Sequence, residues 1–548
     1  MSSAFICGLT FVIALAVFLQ DIGGSLAFQG QDIIGGAAVI FKTPKRVKDL
    51  VGGASAMLAV KRPPRSGRSS DVARANRTDR QPPATVATAS EQAETLKNDG
   101  DALYDRGQYA QALEAYQKAL KLTPQDAEGH AAVGDTYLTL GRFAEAAAAY
   151  EQTVRLQADN AGAYSNLGYT YDKLGKTTEA INALRNAVRL KQDDAIAFNN
   201  LGATLYKAGR YQEALEAFNN AVRLAPNDVD ALNNLGGVLY MLEQYPRAVD
   251  SFQKAVAAKT DSADAHYNLG NAYYMTGKHR EATVAYRRAI QLRSDYVEAR
   301  TNLGSLLISL GDLRGAIAEL QESIRLRAGN PVAHNNLGYA YVKLGETQNL
   351  RQAVASYQEA LRLKPDYVKA QNNLGAAYNK LGQYQEAAEL LSRAARAKPD
   401  FAEVHYNLGT ALYNRGQFKD AVAEFQQAVR LKQDYADAYN SLGTALYRDQ
   451  QFDPAIAAYK KTLGLKPTNA ETHNNLGTVY FRTRRYQEAA AAFKEAVRLK
   501  PDYSEAHFNL ALAFVALKDR KGALDQYNKL KKLDAKLAEE FFQRHMKK

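Results

Sequence analysis

The chain has 548 residues, of which 46% are hydrophobic and 23% charged, and it has a formal net charge of +12 and a single cysteine. This composition allows a large core, and one cysteine excludes an intramolecular disulfide and a zinc site built from several thiolates. The positive charge is concentrated between residues 42 and 80, where eleven Lys or Arg stand against three Asp, whereas residues from 91 onward carry a surplus of only about six. We therefore do not expect a long nucleic-acid-binding surface, which would need cations along its whole length.

Residues 1–27 have the features of a signal peptide or of an N-terminal membrane anchor. An uncharged apolar run extends from Ala4 to Leu19, and the small residues Ser25 to Ala27 follow it where a signal peptidase would cut. However, no Lys or Arg precedes the run, and with its neighbours it approaches the roughly 20 residues that span a bilayer. We predict a secreted or periplasmic protein; the alternative is a protein held in a membrane by residues 4–20.

Two further segments precede the main part of the chain. Residues 28–60 are rich in Gly and apolar side chains with a basic interruption, TPKRVKD, and predict no definite structure. Residues 61–92 are basic, rich in Pro, Ser, Arg and Thr, and contain no aromatic side chain. Because such a composition buries too little apolar surface to offset the entropy of ordering, we predict a disordered linker.

From residue 93 to residue 536 the sequence repeats thirteen times with a period of 34 residues, and the eighth repeat is lengthened to 37. We number positions within each repeat from Ala93, which is position 1 of the first. Position 8 is Gly in twelve repeats and Ala511 in the last, and position 20 is Ala in all thirteen. Side chains this small let two helices approach closely, so each repeat is predicted to be a tight helical hairpin.

Other positions recur with the same period. Leu occupies position 7 in eleven repeats, and an aromatic residue occupies position 24 in ten, as expected for core residues at helical spacing. Gly at position 15 suits the left-handed conformation that ends a helix, and Pro at position 32 cannot continue one. Together these features resemble the tetratricopeptide repeat family, and the resemblance covers about four-fifths of the chain.

This resemblance implies an all-α fold, a right-handed superhelical solenoid of about thirteen helix-turn-helix units. No repeat can bury its apolar face alone, so neighbours must stack. The segment from Ala535, whose last part is residues 537–548, is expected to form a C-terminal capping helix with Phe541 and Phe542 toward the array. The three extra residues of repeat 8, within GETQNLRQA, are expected to lengthen the loop between its two helices.

Position 6, on the first helix of each repeat, is Asn in eleven of the thirteen repeats and is broken only by Ala132 and Ser441. In tetratricopeptide repeats the first helices line a concave face, so the resemblance implies a row of amides there. An amide both donates and accepts hydrogen bonds and so matches a peptide backbone. The resemblance is strongest to the superhelical repeats of the O-linked N-acetylglucosamine transferases. It implies these peptide-binding residues: Asn166, Asn200, Asn234, Asn268, Asn302, Asn336, Asn373, Asn407, Asn475 and Asn509, with Asn98 as the first of the row.

The alternative is that these asparagines only satisfy neighbouring backbone or helices. Basic residues at position 13 add attraction for acidic ligands, although a favourable contact with the helix dipole explains them as well. Histidine recurs at position 4 in six repeats, but one histidine per repeat cannot converge on one metal, so packing is expected.

No nucleotide-binding loop, nucleophile elbow or zinc-ligand pattern occurs, and too few residues follow the array for a sugar-nucleotide-binding domain. We predict a noncatalytic scaffold without cofactor or metal that binds a protein or extended peptide in its groove. No nucleic acid and no small-molecule substrate are expected. The alternative is a spacer or accessory subunit of a larger complex that leaves the groove unused. Such a complex could include a separate enzyme.

Overall fold

The computed structural model describes residues 88–546, and within this range it consists of α-helices without a strand. The 27 helices are α1 (Ala89–Asp105), α2 (Tyr109–Leu122), α3 (Ala127–Thr139), α4 (Phe143–Leu156), α5 (Ala161–Lys173), α6 (Thr177–Leu190), α7 (Ala195–Lys207), α8 (Tyr211–Leu224), α9 (Val229–Met241), α10 (Tyr245–Ala258), α11 (Ala263–Met275), α12 (His279–Leu292), α13 (Val297–Ser309), α14 (Leu313–Leu326), α15 (Pro331–Leu344), α16 (Thr347–Leu363), α17 (Val368–Lys380), α18 (Tyr384–Ala397), α19 (Ala402–Asn414), α20 (Phe418–Leu431), α21 (Ala436–Arg448), α22 (Phe452–Leu465), α23 (Ala470–Arg482), α24 (Tyr486–Leu499), α25 (Ser504–Ala516), α26 (Arg520–Leu533) and α27 (Ala535–His545).

The helices pack in consecutive pairs, as the sequence predicts. Odd-numbered helices from α1 to α25 are the first helices of the repeats, and even-numbered helices are the second. From α1 to α12, and again from α14 to α27, each helix packs against the next one along the chain. The array divides into two compact units, whose boundary lies between Leu303 and Gly304 within α13. We call the described residues before this boundary the N-terminal unit and those after it the C-terminal unit. The predicted all-α architecture of stacked helix pairs is confirmed.

The glycine at position 8 sets how closely the two helices of a repeat approach. In repeat 10, a Cβ added to Gly409 would lie 2.8 Å from Phe425, which occupies position 24 and is fully buried. In repeat 9 the corresponding Cβ on Gly375 would lie 2.5 Å from Leu391. Real side-chain contacts are not this short, so the hairpins of these two repeats keep this spacing only while position 8 carries no side chain.

The first helices begin with side-chain caps that the sequence analysis did not identify. In seven repeats the residue before the first helix is Asp, Asn or Ser, and its side chain accepts a hydrogen bond from a backbone N–H of the first turn: Asp126, Asn160, Asp194, Asp228, Ser262, Asn330 and Asn469. Such caps satisfy N–H groups that have no partner within the helix. Thr88 and Glu91 form a capping box at α1, so this helix starts at Ala89, before the predicted array boundary at residue 93.

The first helix of most repeats ends at position 15 in the left-handed conformation. Nine glycines have this geometry, among them Gly209 with φ +75°. Four residues with side chains adopt it as well: Glu243, Gln450, Arg484 and Lys518, with φ between 59° and 61°. The conformation is therefore imposed by the hairpin, and glycine is only the residue that adopts it at least cost.

Replacing Arg484 with glycine is expected to stabilise the protein by about 0.5–1 kcal/mol. The left-handed conformation costs a residue with a Cβ roughly 1–2 kcal/mol, and glycine avoids this cost. Glycine also loses more conformational entropy on folding, which offsets part of the stabilisation. The reverse change, Gly209→Ala, is the control and should destabilise by a similar amount. Urea unfolding checks both, and equal midpoints for the two variants would contradict the argument.

Two features of the C-terminal unit refine the sequence expectations. The three extra residues of repeat 8 do not lengthen the loop; they lengthen the second helix, since α16 has 17 residues where most second helices have 14. No Pro or Gly interrupts the segment from Thr347 to Leu363, so it continues as helix. The capping helix α27 is present as expected: Phe541 is fully buried, 5.7 Å from the ring of Phe508, and Phe542 packs on Tyr527.

The predicted localisation is corrected. We expected a secreted or periplasmic protein, or one anchored in a membrane, but no helix within residues 88–546 is both long and apolar enough to cross a bilayer. The longest helices there have 17 residues, whereas a spanning helix needs about 20 apolar ones. The apolar run that prompted the prediction, with the segments 1–27, 28–60 and most of 61–92, lies outside the described residues, and the localisation is withdrawn.

Candidate functional site: the first helices

The first helices of neighbouring repeats lie closer together than the second helices. In the N-terminal unit the first helices of repeats 2 to 6 contact each other directly, and in the C-terminal unit those of repeats 8 to 13 do so. Neighbouring second helices show no comparable contact within the described array. A stack whose elements are closer on one side curves toward that side, so within each unit the first helices line the inside of the curve.

The asparagines at position 6 point toward the preceding repeat. The Asn407 side-chain N–H donates to Asn372 Oδ1 at 2.8 Å, and Asn302 donates to Asn271 Oδ1 at 3.1 Å and to the Tyr267 hydroxyl at 3.2 Å. Eight of the ten predicted binding residues are at most 4% exposed: Asn234, Asn268, Asn302, Asn336, Asn373, Asn407, Asn475 and Asn509. Asn166 and Asn200 are half-buried. The row therefore links repeats, and its role in peptide binding stays a prediction.

Position 5 supplies many of the acceptors for these bonds. Asn199, Asn335, Asn372 and Asn474 each accept through Oδ1 from the position 6 amide of the following repeat, at distances of 2.8 to 3.0 Å. The sequence shows asparagine at both positions, but it does not show which pairs bond across the repeat boundary. The co-occurrence of Asn at position 5 and Asn at position 6 one repeat later is the signal that could have found them.

Histidine at position 4 also connects neighbouring repeats. In all six cases the ring Nε2 lies 3.0 or 3.1 Å from the carbonyl oxygen six residues earlier, in the turn between repeats: His130, His266, His334, His405, His473 and His507. Gln371 makes the same contact from position 4 at 2.8 Å. These histidines therefore hold the turns. No set of three or more potential metal ligands converges within residues 88–546.

His405 has a second partner, because its Nδ1 lies 2.6 Å from the Glu424 carboxylate. Burial opposes protonation of His405, but the hydrogen bonds to Glu424 and to the Pro399 carbonyl outweigh it and raise the pKa. His507 has the same geometry with Gln526 Oε1 at 2.7 Å in place of the carboxylate. The same histidine contact thus occurs once with a charged partner, Glu424, and once with a neutral partner, Gln526.

Aromatic pairs follow the asparagine row toward the ends of the first helices. In several repeats an aromatic residue at position 12 packs against an aromatic ring at position 17 of the second helix. These pairs occur in repeat 1 and in three consecutive repeats of each unit, with ring centroids 5.1 to 6.0 Å apart: Tyr104–Tyr109, then Tyr206–Tyr211, Tyr240–Tyr245 and Tyr274–His279, then Tyr413–Phe418, Tyr447–Phe452 and Phe481–Tyr486. The position 17 rings are half-buried, so each pair leaves part of its surface accessible.

Basic residues at position 13 also lie near aromatic rings of the first helices. Lys173 and Lys343 place Nζ 5.0 and 5.5 Å from the ring centroids of Tyr169 and Tyr339. Lys207 forms an ion pair with Asp172 of the preceding repeat. The first helices thus combine buried amides with an accessible edge of aromatic and cationic side chains.

One acidic group in this surface has an unusual titration. Glu471, at position 2 of repeat 12, is partly buried; burial raises its pKa to about 7, Glu505 adds to the rise and Lys500 opposes it. The folded state therefore binds this proton more tightly than the unfolded state. The contribution of this group to stability is therefore greatest below its unfolded pKa of about 4.5 and is lost as the pH rises through 7.

Replacing Glu471 with Gln should raise the free energy of unfolding above pH 7 by about 1–2 kcal/mol, after allowance for solvent screening. Below about pH 4.5 the variant and the wild type should be equally stable. Glu403→Gln, at the same position of repeat 10, is the control for the loss of one carboxylate. Urea unfolding at pH 4 and pH 8 tests this, and an equal effect of Glu471→Gln at both values would contradict it.

Comparisons with known proteins agree on the type of repeat. A family model described as TPR repeat matches residues 100–141, 134–175, 170–209, 304–345, 346–382, 375–414 and 409–450. Three models described as tetratricopeptide repeat match residues 193–261 and 434–502, residues 474–538, and residues 263–296. Together these matches cover 431 of the 548 residues. A search of curated proteins finds no match.

Similar solved structures include the following three. The APC/C hetero-tetramer Cut9–Hcn1 matches at 15% identity over 83% of this chain and 96% of that chain, with a TM-score of 0.41. Yeast Tom70 matches at 17% identity over 78% and 96%, with a TM-score of 0.33. YrrB, described as a TPR protein with an unusual peptide-binding site, matches at 26% identity over 35% and 96%, with a TM-score of 0.31.

Proposed function

The chain belongs to the tetratricopeptide repeat family, and on that premise we propose that it is a noncatalytic scaffold that binds a partner protein or an extended peptide along its first helices. The closer spacing of the first helices within each unit carries the proposal, because it puts equivalent side chains of successive repeats next to each other. A partner that lies along this surface meets the same chemistry at each repeat.

The contact surface in this proposal has two parts. The aromatic pairs at positions 12 and 17 offer accessible ring surface, and the position 13 residue Arg448 lies over the Phe418 ring of one pair. The position 6 asparagines, from Asn166 to Asn509, form the second part. The finer resemblance to the repeats of O-linked N-acetylglucosamine transferases rests on these asparagines alone. Most of these asparagines are buried, and several of them donate hydrogen bonds to the preceding repeat, whereas the aromatic pairs are partly accessible.

A second candidate function has an observation in its favour. The buried asparagine row already uses its N–H groups within the protein, as expected of a spacer or accessory subunit that leaves the groove empty. In that case partners would contact the second helices or the ends of the array. The two functions therefore differ in which helix of the repeat contacts the partner.

Site-specific photo-crosslinking in the full chain separates the two. One photoreactive residue replaces Asn414, which is exposed on a first helix, and another replaces Val284, which is 68% exposed on a second helix. If the first helices bind, crosslinks from Asn414 should join one partner segment, and probes at Lys343 or Arg482 should join residues farther along that segment. Crosslinks that form mainly from Val284 would instead support the spacer function.

A further inference from the structure

The C-terminal unit carries a cationic row at position 13 of repeats 8 to 12. Its members are Lys343, Lys380, Arg448 and Arg482, with Asn414 in the middle repeat. Lys343, Lys380 and Arg482 are exposed and Arg448 is half-buried. Because each occupies the last residue or the last turn of a first helix, the four side chains lie along one edge of the curve's inner side.

Three arginines on the second helices form ion pairs, unlike two members of this row. Arg325, Arg362 and Arg498 each bond to a glutamate three residues earlier in the same helix, at 2.7, 2.6 and 2.5 Å. By contrast, neither Lys343 nor Arg482 forms an ion pair with a carboxylate in the described part of the chain. These three outer arginines are paired within their own helices, whereas Lys343 and Arg482 on the inner side present charge without a carboxylate partner in the described residues.

The neighbours of the row are aromatic. Lys343 lies over the Tyr339 ring, and the Arg448 guanidinium lies 4.6 Å from the centroid of the Phe418 ring. Burial raises the pKa of Tyr447, and the nearby Arg482 and Arg448 oppose that rise. An aromatic face orients a cation without neutralising it, so the Lys343 charge stays available to a ligand.

We propose that an acidic, extended segment of a partner protein lies along this row and places one carboxylate beside the cation of each repeat. The inference rests on the proposed function and names the chemistry of its partner. Packed helices are about 8–10 Å apart, and three residues of an extended or polyproline-like chain advance by roughly the same distance. An acidic residue at every third position therefore matches the spacing of the row. Four cations in five repeats are too few for the continuous phosphate contacts of a nucleic acid.

The test is fluorescence anisotropy with the full chain and a labelled 15-residue peptide that has Glu at every third position. The same peptide with Gln in place of Glu is the ligand control. The row variant is Lys343→Gln, Lys380→Gln, Arg448→Gln and Arg482→Gln together. The matched protein control is Arg325→Gln, Arg362→Gln, Arg430→Gln and Arg498→Gln, which removes the same charge from position 29 of the second helices. Circular dichroism verifies that both variants fold.

At 50 mM salt we expect the row variant to bind the Glu peptide at least tenfold more weakly than the wild type does, and the control variant to remain within threefold. The Gln peptide should bind the wild type at least tenfold more weakly. Equal binding of both peptides, or of wild type and row variant, would overturn the inference, as would no binding at all. So would tighter binding of a 15-nucleotide oligothymidylate that is lost in the row variant. Crosslinking at Asn414 that persists in the row variant would show that the scaffold function survives this failure.

Discussion

Replacing Gly236 with alanine is expected to destabilise the protein by about 2 kcal/mol, whereas the same substitution at the adjacent Gly237 should stabilise it by roughly 0.5–1 kcal/mol. Both residues lie within α9. A Cβ on Gly236 would be 2.5 Å from Cε1 of Phe252, whose side chain is fully buried, while a Cβ on Gly237 would meet nothing within 4 Å. Phe252 therefore has no room to move away, and the hairpin must open.

The pair is its own control, because alanine raises helix propensity by about 1 kcal/mol at both positions and only the contact with Phe252 differs. A larger residue sharpens the contrast: Gly236→Val should cost more than 4 kcal/mol, since it adds two methyl groups at the same contact. Hydrogen exchange of α9 and α10 measures the effect locally, which avoids treating a repeat array as a single two-state unit. Equal protection of these helices in Gly236→Ala and Gly237→Ala would show that position 8 does not set the helix spacing.

This contrast also shows how far the sequence determines the fold. The recurrence of Gly at position 8, as at Gly236, predicts a close approach of the two helices. A small residue that returns at the same position of successive repeats indicates a steric requirement, whereas a single occurrence does not. A lone small residue such as Gly237 has no such signal, and only the structure shows that the space above it is open. Likewise the residue type of Glu243 does not indicate a left-handed backbone, and only its place at position 15 of the repeat does.

The binding surface was less predictable than the fold. Position 6 is recognisable as a row, but whether its amides face a ligand or the preceding repeat depends on how each helix is rotated about its axis, which the sequence pattern does not encode. The exposure of the position 13 cations could be expected from their place near the helix ends. Their partners could not, since the pairing of Arg325 with Glu322, and the lack of an ion pair for Arg482 among residues 88–546, depend on three-dimensional position.

Replacing Asn268, Asn302, Asn336 and Asn373 together with alanine should lower the free energy of unfolding by about 3–6 kcal/mol. Each is at most 2% exposed, and the Asn302 and Asn373 amides bond to groups of the preceding repeat. Removing a partner leaves a buried polar group unsatisfied, at about 1–3 kcal/mol each, and the better helix propensity of alanine returns only part of this. Thermal unfolding and hydrogen exchange of repeats 6 to 9 measure the loss. An unchanged stability would mean that these bonds contribute nothing to the stacking of repeats.

Because the quadruple variant is expected to unfold more easily, a loss of partner binding in it would not distinguish a binding residue from a structural one. Asn200 does distinguish them, since it is half-buried and belongs to the same row. Asn200→Ala should change stability by less than about 0.5 kcal/mol, as expected for a substitution outside a buried network. If it nevertheless weakens binding of a crosslinked partner segment, the row contacts the ligand where it is accessible. Binding by Asn200→Ala could instead be unchanged while the quadruple variant loses both stability and binding. In that case the asparagines act only by holding the first helices side by side, and the aromatic and cationic side chains of the accessible edge contact the partner.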